Sequence, residues 1–157
     1  MGSRWYGVCN QPEWTTMQET LTPAMRAFLD EPRFAVVTTL NRDGSPHMTV
    51  LWYDLQGNEI VMNAERHRQK IANLRCNPHI GLTVEDAYRY ISVYGMATLV
   101  DDPPTTKADI YRLAIRYCGP VEGQRLFATE YGHEQRITIR LPIQRMHTLG
   151  FGPERGG

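Results

Sequence analysis

The densest run of cationic side chains in this 157-residue chain is Arg66-His67-Arg68-Gln69-Lys70. It falls between the end of an expected strand and the start of an expected helix. Free backbone amides and the positive end of the helix dipole there add to the side-chain charge. Phosphate is the natural guest of such a place. A charge run alone is just as readily the solvated face of a helix, so it is the position that carries the reading. Trp52, Tyr53, Tyr88, Tyr90 and Tyr94 lie in or beside expected strands and are able to flank a planar ring, although strand aromatics more often simply pack.

Other chemistries lack the residues they need. His47, His67, His79, His133 and His147 show no His-x-x-x-His spacing and no carboxylate companion suited to a metal. No Gly-x-Ser-x-Gly exists and Ser45 sits in a turn, so a hydrolase has no support. The Gly-x-Gly-x-x-Gly fingerprint and the Walker loop are both missing, which removes the usual sequence routes to NAD and ATP. Cys9, Cys76 and Cys118 are far apart and read as reduced thiols of a cytoplasmic protein.

The elements that must position these residues are mostly short strands. Thr22-Pro23 opens a helix with Met25, Phe28 and Leu29 on its apolar stripe, and Glu31-Pro32 stops it. Phe34 to Leu40, the turn Asn41-Arg42-Asp43-Gly44 and Pro46 to Tyr53 make a hairpin. Glu59 to Asn63 follows as the third strand of a meander. Ala64 to Arg75 changes to helical spacing and ends at Asn77-Pro78. Ile80 to Val84 and Tyr88 to Leu99 are further strands, with Gly95 marking a bulge or a close backbone approach.

Asp101-Asp102-Pro103-Pro104 reads as a break. Thr105 to Tyr117 is then the best-signalled helix, closed by Cys118-Gly119-Pro120, and a less regular helical piece covers Val121 to Tyr131. Arg136 to Leu141 alternates like a strand, and Arg145 to Leu149 adds a last one. Short strands with interspersed helices predict an α+β antiparallel barrel rather than a Rossmann sheet.

With 41% hydrophobic residues the chain suits one domain over residues 1–157, with residues 1–20 and 150–157 loosely ordered. Lys+Arg and Asp+Glu each total 17, so no net field draws it to nucleic acid or to an anionic membrane. No stretch approaches the roughly 18 apolar residues of a membrane span.

Three segments carry a family resemblance. Phe34-Ala35-Val36-Val37-Thr38-Thr39-Leu40 followed by Asp43-Gly44-Ser45-Pro46-His47 resembles the opening hairpin of the pyridoxamine-phosphate-oxidase-like, FMN-binding split-barrel family. Arg68-Gln69-Lys70-Ile71-Ala72-Asn73-Leu74-Arg75-Cys76-Asn77-Pro78 is similar to its basic segment and following helix, and Tyr94-Gly95-Met96-Ala97 to its next glycine-containing strand. The Arg-x-Lys-x-x-Asn-Leu form looks most similar to the branch that uses coenzyme F-420, a deazaflavin.

The resemblance implies a split β-barrel homodimer with FMN or F-420 at its interface, acting as an oxidoreductase on a small molecule. It further implies that Arg68 and Lys70 hold the cofactor phosphate or its acidic tail. Thr49, Val50, Leu51 and Trp52, with Met62 and Asn63, would flank the ring, and Tyr88 would reach in from the partner subunit. No catalytic acid is assigned. The carboxy-terminal substrate pattern of true pyridoxamine phosphate oxidases is missing after Arg145-Met146-His147, which argues against a vitamin-processing oxidase. A non-catalytic carrier or haem binder, with His47 or His147 on the iron, is the alternative from another class.

Overall fold

A computed structural model describes residues 20–152. The expected extension over residues 1–20, apart from its last residue, and the tail beyond residue 152 lie outside the described residues, as does Cys9. The elements run α1 Pro23–Asp30, β1 Ala35–Leu40, β2 Pro46–Leu51, β3 Tyr53–Gln56, β4 Glu59–Glu65, α2 Gln69–Cys76, β5 His79–Asp86 and β6 Arg89–Met96. They continue with β7 Thr98–Val100, α3 Pro103–Thr129, a 3-10 turn at Tyr131–His133, β8 Arg136–Pro142 and β9 Arg145–Leu149.

Two antiparallel sheets result, ordered β2-β1-β5-β6-β9 and β3-β4-β8-β7, and they do not join into a closed cylinder. This is an α+β split β-barrel, as expected. Alternation explains the core. Ala35, Val37, Leu82, Val84, Ile91 and Val93 point inward from the first sheet, and Ile60, Met62, Ile137, Ile139 and Leu141 meet them from the second.

Two strands read as continuous are divided. The stretch from Pro46 to Tyr53 breaks at Trp52, so β2 pairs with β1 in one sheet while β3 pairs with β4 in the other, and the expected meander is split between sheets. Likewise Tyr88 to Leu99 breaks at Ala97, whose amide donates to the Pro78 carbonyl at 2.8 Å instead of joining a ladder. A barrel needs such corners, and a β-rich composition does not mark them. Gly95 makes a close approach: a Cβ there would lie 3.1 Å from the Leu141 Cδ1.

Asp102 is a cap rather than part of a break. Its carboxylate accepts from the Thr105 amide at 3.1 Å, and Pro103 opens the first turn of α3. The helix is interrupted where expected, at Gly119, whose φ of 80° suits glycine, with Pro120 restarting it.

The carboxy end of α1 is held from outside. Arg116 donates to the carbonyls of Leu29, Asp30 and Glu31 at 2.9, 2.7 and 3.0 Å, and Arg33 donates to that of Phe28 at 2.6 Å. Phe151, in the segment expected to be loose, packs edge-on to Phe28 at 5.1 Å.

Candidate functional site

Helix α2 starts without a side-chain cap at Arg68; the Ile71 amide turns back to the Arg68 carbonyl at 3.0 Å, and the Gln69 and Lys70 amides are left for another acceptor. Lys70 lies in that turn and is 7% exposed, yet its ammonium has no hydrogen-bond or ion-pair partner among the described residues. Burial pushes its pKa below the ordinary lysine value, and the neighbouring Arg68 charge pushes it in the same direction. An ammonium at the tip of a largely buried side chain loses part of its hydration, and without a hydrogen-bond partner that loss is not made good within the folded chain. Its presence at the free end of a helix marks a place for an anion.

Arg68 is committed elsewhere. Its Nε donates to the Glu65 Oε1 at 3.0 Å and its Nη2 makes a second bond to the same oxygen. That pairing holds the Glu65 carboxyl below its usual range. Arg66 pairs with Asp101, and His67 lies 3.5 Å from the Glu65 carboxylate. Of the five-residue cationic run, Lys70 is thus the buried member with nothing to bind.

The second part of the site lies next along β4. Val50, Leu51, Trp52 and Asn63 line one concavity of about 220 Å³ with Ile110, Leu113, Tyr131 and Arg136. Four of the residues expected to flank a ring are therefore brought together. Glu65, which holds Arg68, follows Asn63 by two positions on the same strand, about 7 Å along. Arg68 and Lys70 do not line the concavity; they stand beyond its β4 end.

The remaining expected residues are placed differently. Met62 is fully buried in the barrel core, where its side chain packs with Ile60 and Ile139 and faces no cavity. Thr49 is half-buried on β2 opposite Val37. Tyr88 stands in the β5–β6 turn and is 89% exposed, in contact with no site residue of its own chain. Tyr53 is buried and Tyr94 is half exposed on the outer sheet face. Among the histidines weighed as iron ligands, His47 lies on β2, and His147 on β9 pairs through its Nδ1 with the Tyr90 hydroxyl at 3.1 Å.

An aromatic cluster fixes the wall of the concavity. Trp52 stacks on Tyr117, with ring centroids 5.0 Å apart and planes 4° off parallel, and meets Tyr131 edge-on at 6.0 Å. The Tyr117 hydroxyl accepts from the Tyr53 amide at 3.1 Å and donates to the Arg33 carbonyl, which pins the β2–β3 corner. Burial raises the pKa of Tyr117 and of Tyr131, so both phenols stay protonated.

Beneath the concavity runs a buried polar chain. Asn63 donates to the Thr106 carbonyl at 3.1 Å and to the Thr138 hydroxyl at 3.2 Å, and accepts from the Arg136 Nε at 2.6 Å. Thr138 in turn donates to Asp109 at 2.9 Å. Sequence reading missed Arg136, Tyr131 and Tyr117. The alternation of β8 assigns no partner to its polar positions, whereas the register Asn63↔Thr138 and Glu65↔Arg136 sets them beside the polar residues of β4. Only that register could have signalled Arg136.

The comparisons agree with this architecture. Residues 21–149 match the family described as pyridoxamine 5'-phosphate oxidase, and the chain belongs to that family. Among solved structures, a conserved hypothetical protein from Mycobacterium tuberculosis is 24% identical, with a TM-score of 0.71 over 89% of this chain and 94% of that one. An F420 reductase is 25% identical, with a TM-score of 0.63 over 78% of this chain and 94% of its own. The haem storage protein of Vibrio cholerae shares the fold at 19% identity, with a TM-score of 0.64 over 85% of this chain and 98% of that one. No curated protein sequence matches this chain. No helix among the described residues is long and apolar enough to cross a membrane, and no group of three or more metal-ligating side chains occurs among them.

Proposed function

We propose that this chain is a homodimeric oxidoreductase that anchors coenzyme F-420 by its phosphate and passes a hydride to a small organic substrate. Lys70, a largely buried lysine whose ammonium has no hydrogen-bond partner among the described residues, at the uncapped start of α2, is the observation that carries the reading. The F420 reductase among the similar structures supports the choice of cofactor. FMN is the second reading, because its phosphate meets the same ammonium.

Once bound, the deazaflavin or flavin supplies the two-electron chemistry. The residues of the chain bind and orient. Lys70 and the amides of Gln69 and Lys70 at the start of α2 hold the phosphate. Arg68, released from Glu65, adds a second charge. The aromatic wall at Trp52 and the apolar side chains of Val50, Leu51, Ile110 and Leu113 keep water from the ring end.

The partner is inferred from the outer face of the five-stranded sheet. Met48, Val50 and Met96 are 63%, 60% and 58% exposed there, and Met48 and Met96 border a groove of about 660 Å³ with Val36 and Tyr94. Apolar exposure of that kind on a sheet face is what a two-fold copy covers. Since Val50 borders both this face and the concavity, a second chain would close the site from outside.

The test is a calorimetric titration of the purified protein with F-420 and FMN side by side, repeated on Lys70→Ala. Tighter F-420 binding that is lost in the variant supports the reading, and tighter FMN binding moves the assignment to a flavin enzyme. Binding unchanged by Lys70→Ala refutes the phosphate site. A Soret band on haem addition without binding of either flavin would instead place the chain with the haem-storage relative.

A further inference from the structure

We propose that the concavity beside Trp52 selects the neutral carbonyl edge of a flat conjugated ring, with Arg136 as the donor. This deepens the reading above, on which it rests, by naming the chemistry that the ring end of the site accepts. Arg136 is 12% exposed on its side chain and is held on two sides: Nε donates to the Asn63 Oδ1 at 2.6 Å and Nη1 to Glu134. Its guanidinium lies over the Tyr131 ring, 5.4 Å from the centroid. The other terminal nitrogen, Nη2, has no hydrogen-bond partner among the described residues. Arg136 lines the concavity, and with Nε and Nη1 held, Nη2 is the donor left for an acceptor that enters there.

Shape and charge then narrow the ligand. A volume of 220 Å³ is below the roughly 300 Å³ at which pockets for whole drug-sized ligands begin, so the space suits one flat ring system and not an entire nucleotide. Aromatic and aliphatic walls favour a conjugated ring. Glu134 already balances the guanidinium charge, so an entering carboxylate meets a like charge beside its donor. A carbonyl oxygen does not.

The shared chemistry has two sources, the cofactor's own carbonyl-bearing ring or a separate small substrate. Coumarin, a neutral bicyclic lactone, and naphthoate, a flat carboxylate, are the probes, titrated calorimetrically into the cofactor-free protein. Coumarin is expected to bind at least tenfold more tightly than naphthoate. Arg136→Gln should weaken coumarin about tenfold or more, the usual worth of a hydrogen bond from a charged donor. Glu134→Gln leaves Arg136 in place and should narrow the preference over naphthoate, which keeps the test informative if Arg136→Gln does not fold.

Exclusion of coumarin by saturating FMN assigns the site to the cofactor ring, and simultaneous binding assigns it to a substrate. Either outcome upholds the carbonyl site. Absence of coumarin binding, equal binding of naphthoate, or indifference to both variants overturns it. Lys70→Ala separates the two claims: it should weaken FMN and leave coumarin within about twofold, because coumarin has no phosphate.

Discussion

Replacing Lys70 by methionine is expected to stabilise the folded protein while destroying its phosphate site. Lys70 is 7% exposed and its ammonium has no hydrogen-bond partner among the described residues, so the folded chain carries the cost of a partly dehydrated charge that Glu65 offsets only in part. Methionine keeps most of the volume and flexibility of the lysine stem and removes the charge. Exchanging buried charge for apolar side chains of similar size has stabilised proteins by about 1–4 kcal/mol, and the lower half of that span suits a single ion. At about 2–4 °C per kcal/mol for a domain of this length, the melting temperature should rise by roughly 2–10 °C.

The ligand should reverse the order. Cofactor at a hundred times its Kd stabilises the wild type by about 2.7 kcal/mol. By the same conversion that is roughly 5–10 °C. The methionine variant should gain almost nothing. Thermal melts of both proteins with and without FMN or F-420 read all four values. A lower melting temperature for Lys70→Met without ligand would show that the ammonium is satisfied in the folded chain, and the anion-site argument would fail with it.

Three further outcomes are expected. Because burial and Arg68 lower the Lys70 pKa, phosphate-ligand affinity should be lost as pH rises through that depressed value, before an ordinary lysine would titrate. For FMN, a phosphate monoester, affinity should also fall at the acid end below about pH 6, where the dianion takes up a proton; calorimetry across pH checks both limbs. Arg116→Ala removes three bonds to the last carbonyls of α1 and should cost about 2 kcal/mol or more in a denaturant melt, with cofactor affinity little changed. Met48→Glu combined with Met96→Glu puts charge on the exposed apolar sheet face and should turn a dimer into a monomer by light scattering. A wild type already monomeric at micromolar concentration would remove the shared-site reading.

The sequence by itself determined most of the elements and the meeting of the cationic run with a helix start. Turn chemistry at Asn41 to Gly44, the Asn77-Pro78 stop and the Gly119-Pro120 break are local signals, set by backbone preferences that a few neighbouring residues dictate. The cationic run was legible for the same reason, since a helix start and its charges adjoin in the chain. That Lys70 is buried while Arg68 turns back to Glu65 could not be read there, because burial depends on what packs from elsewhere.

Tertiary structure alone decided the rest. The corners at Trp52 and Ala97, which send one strand into two sheets, follow from closing a twisted sheet over a common core. That partition sends Met62 into the core and its neighbour Asn63 toward α3, since successive strand residues face opposite ways. Arg136 enters the site only because β8 pairs with β4 in one particular register. The chain separates those two strands by some seventy residues, and no local pattern of charge or hydrophobicity records which residues will lie side by side.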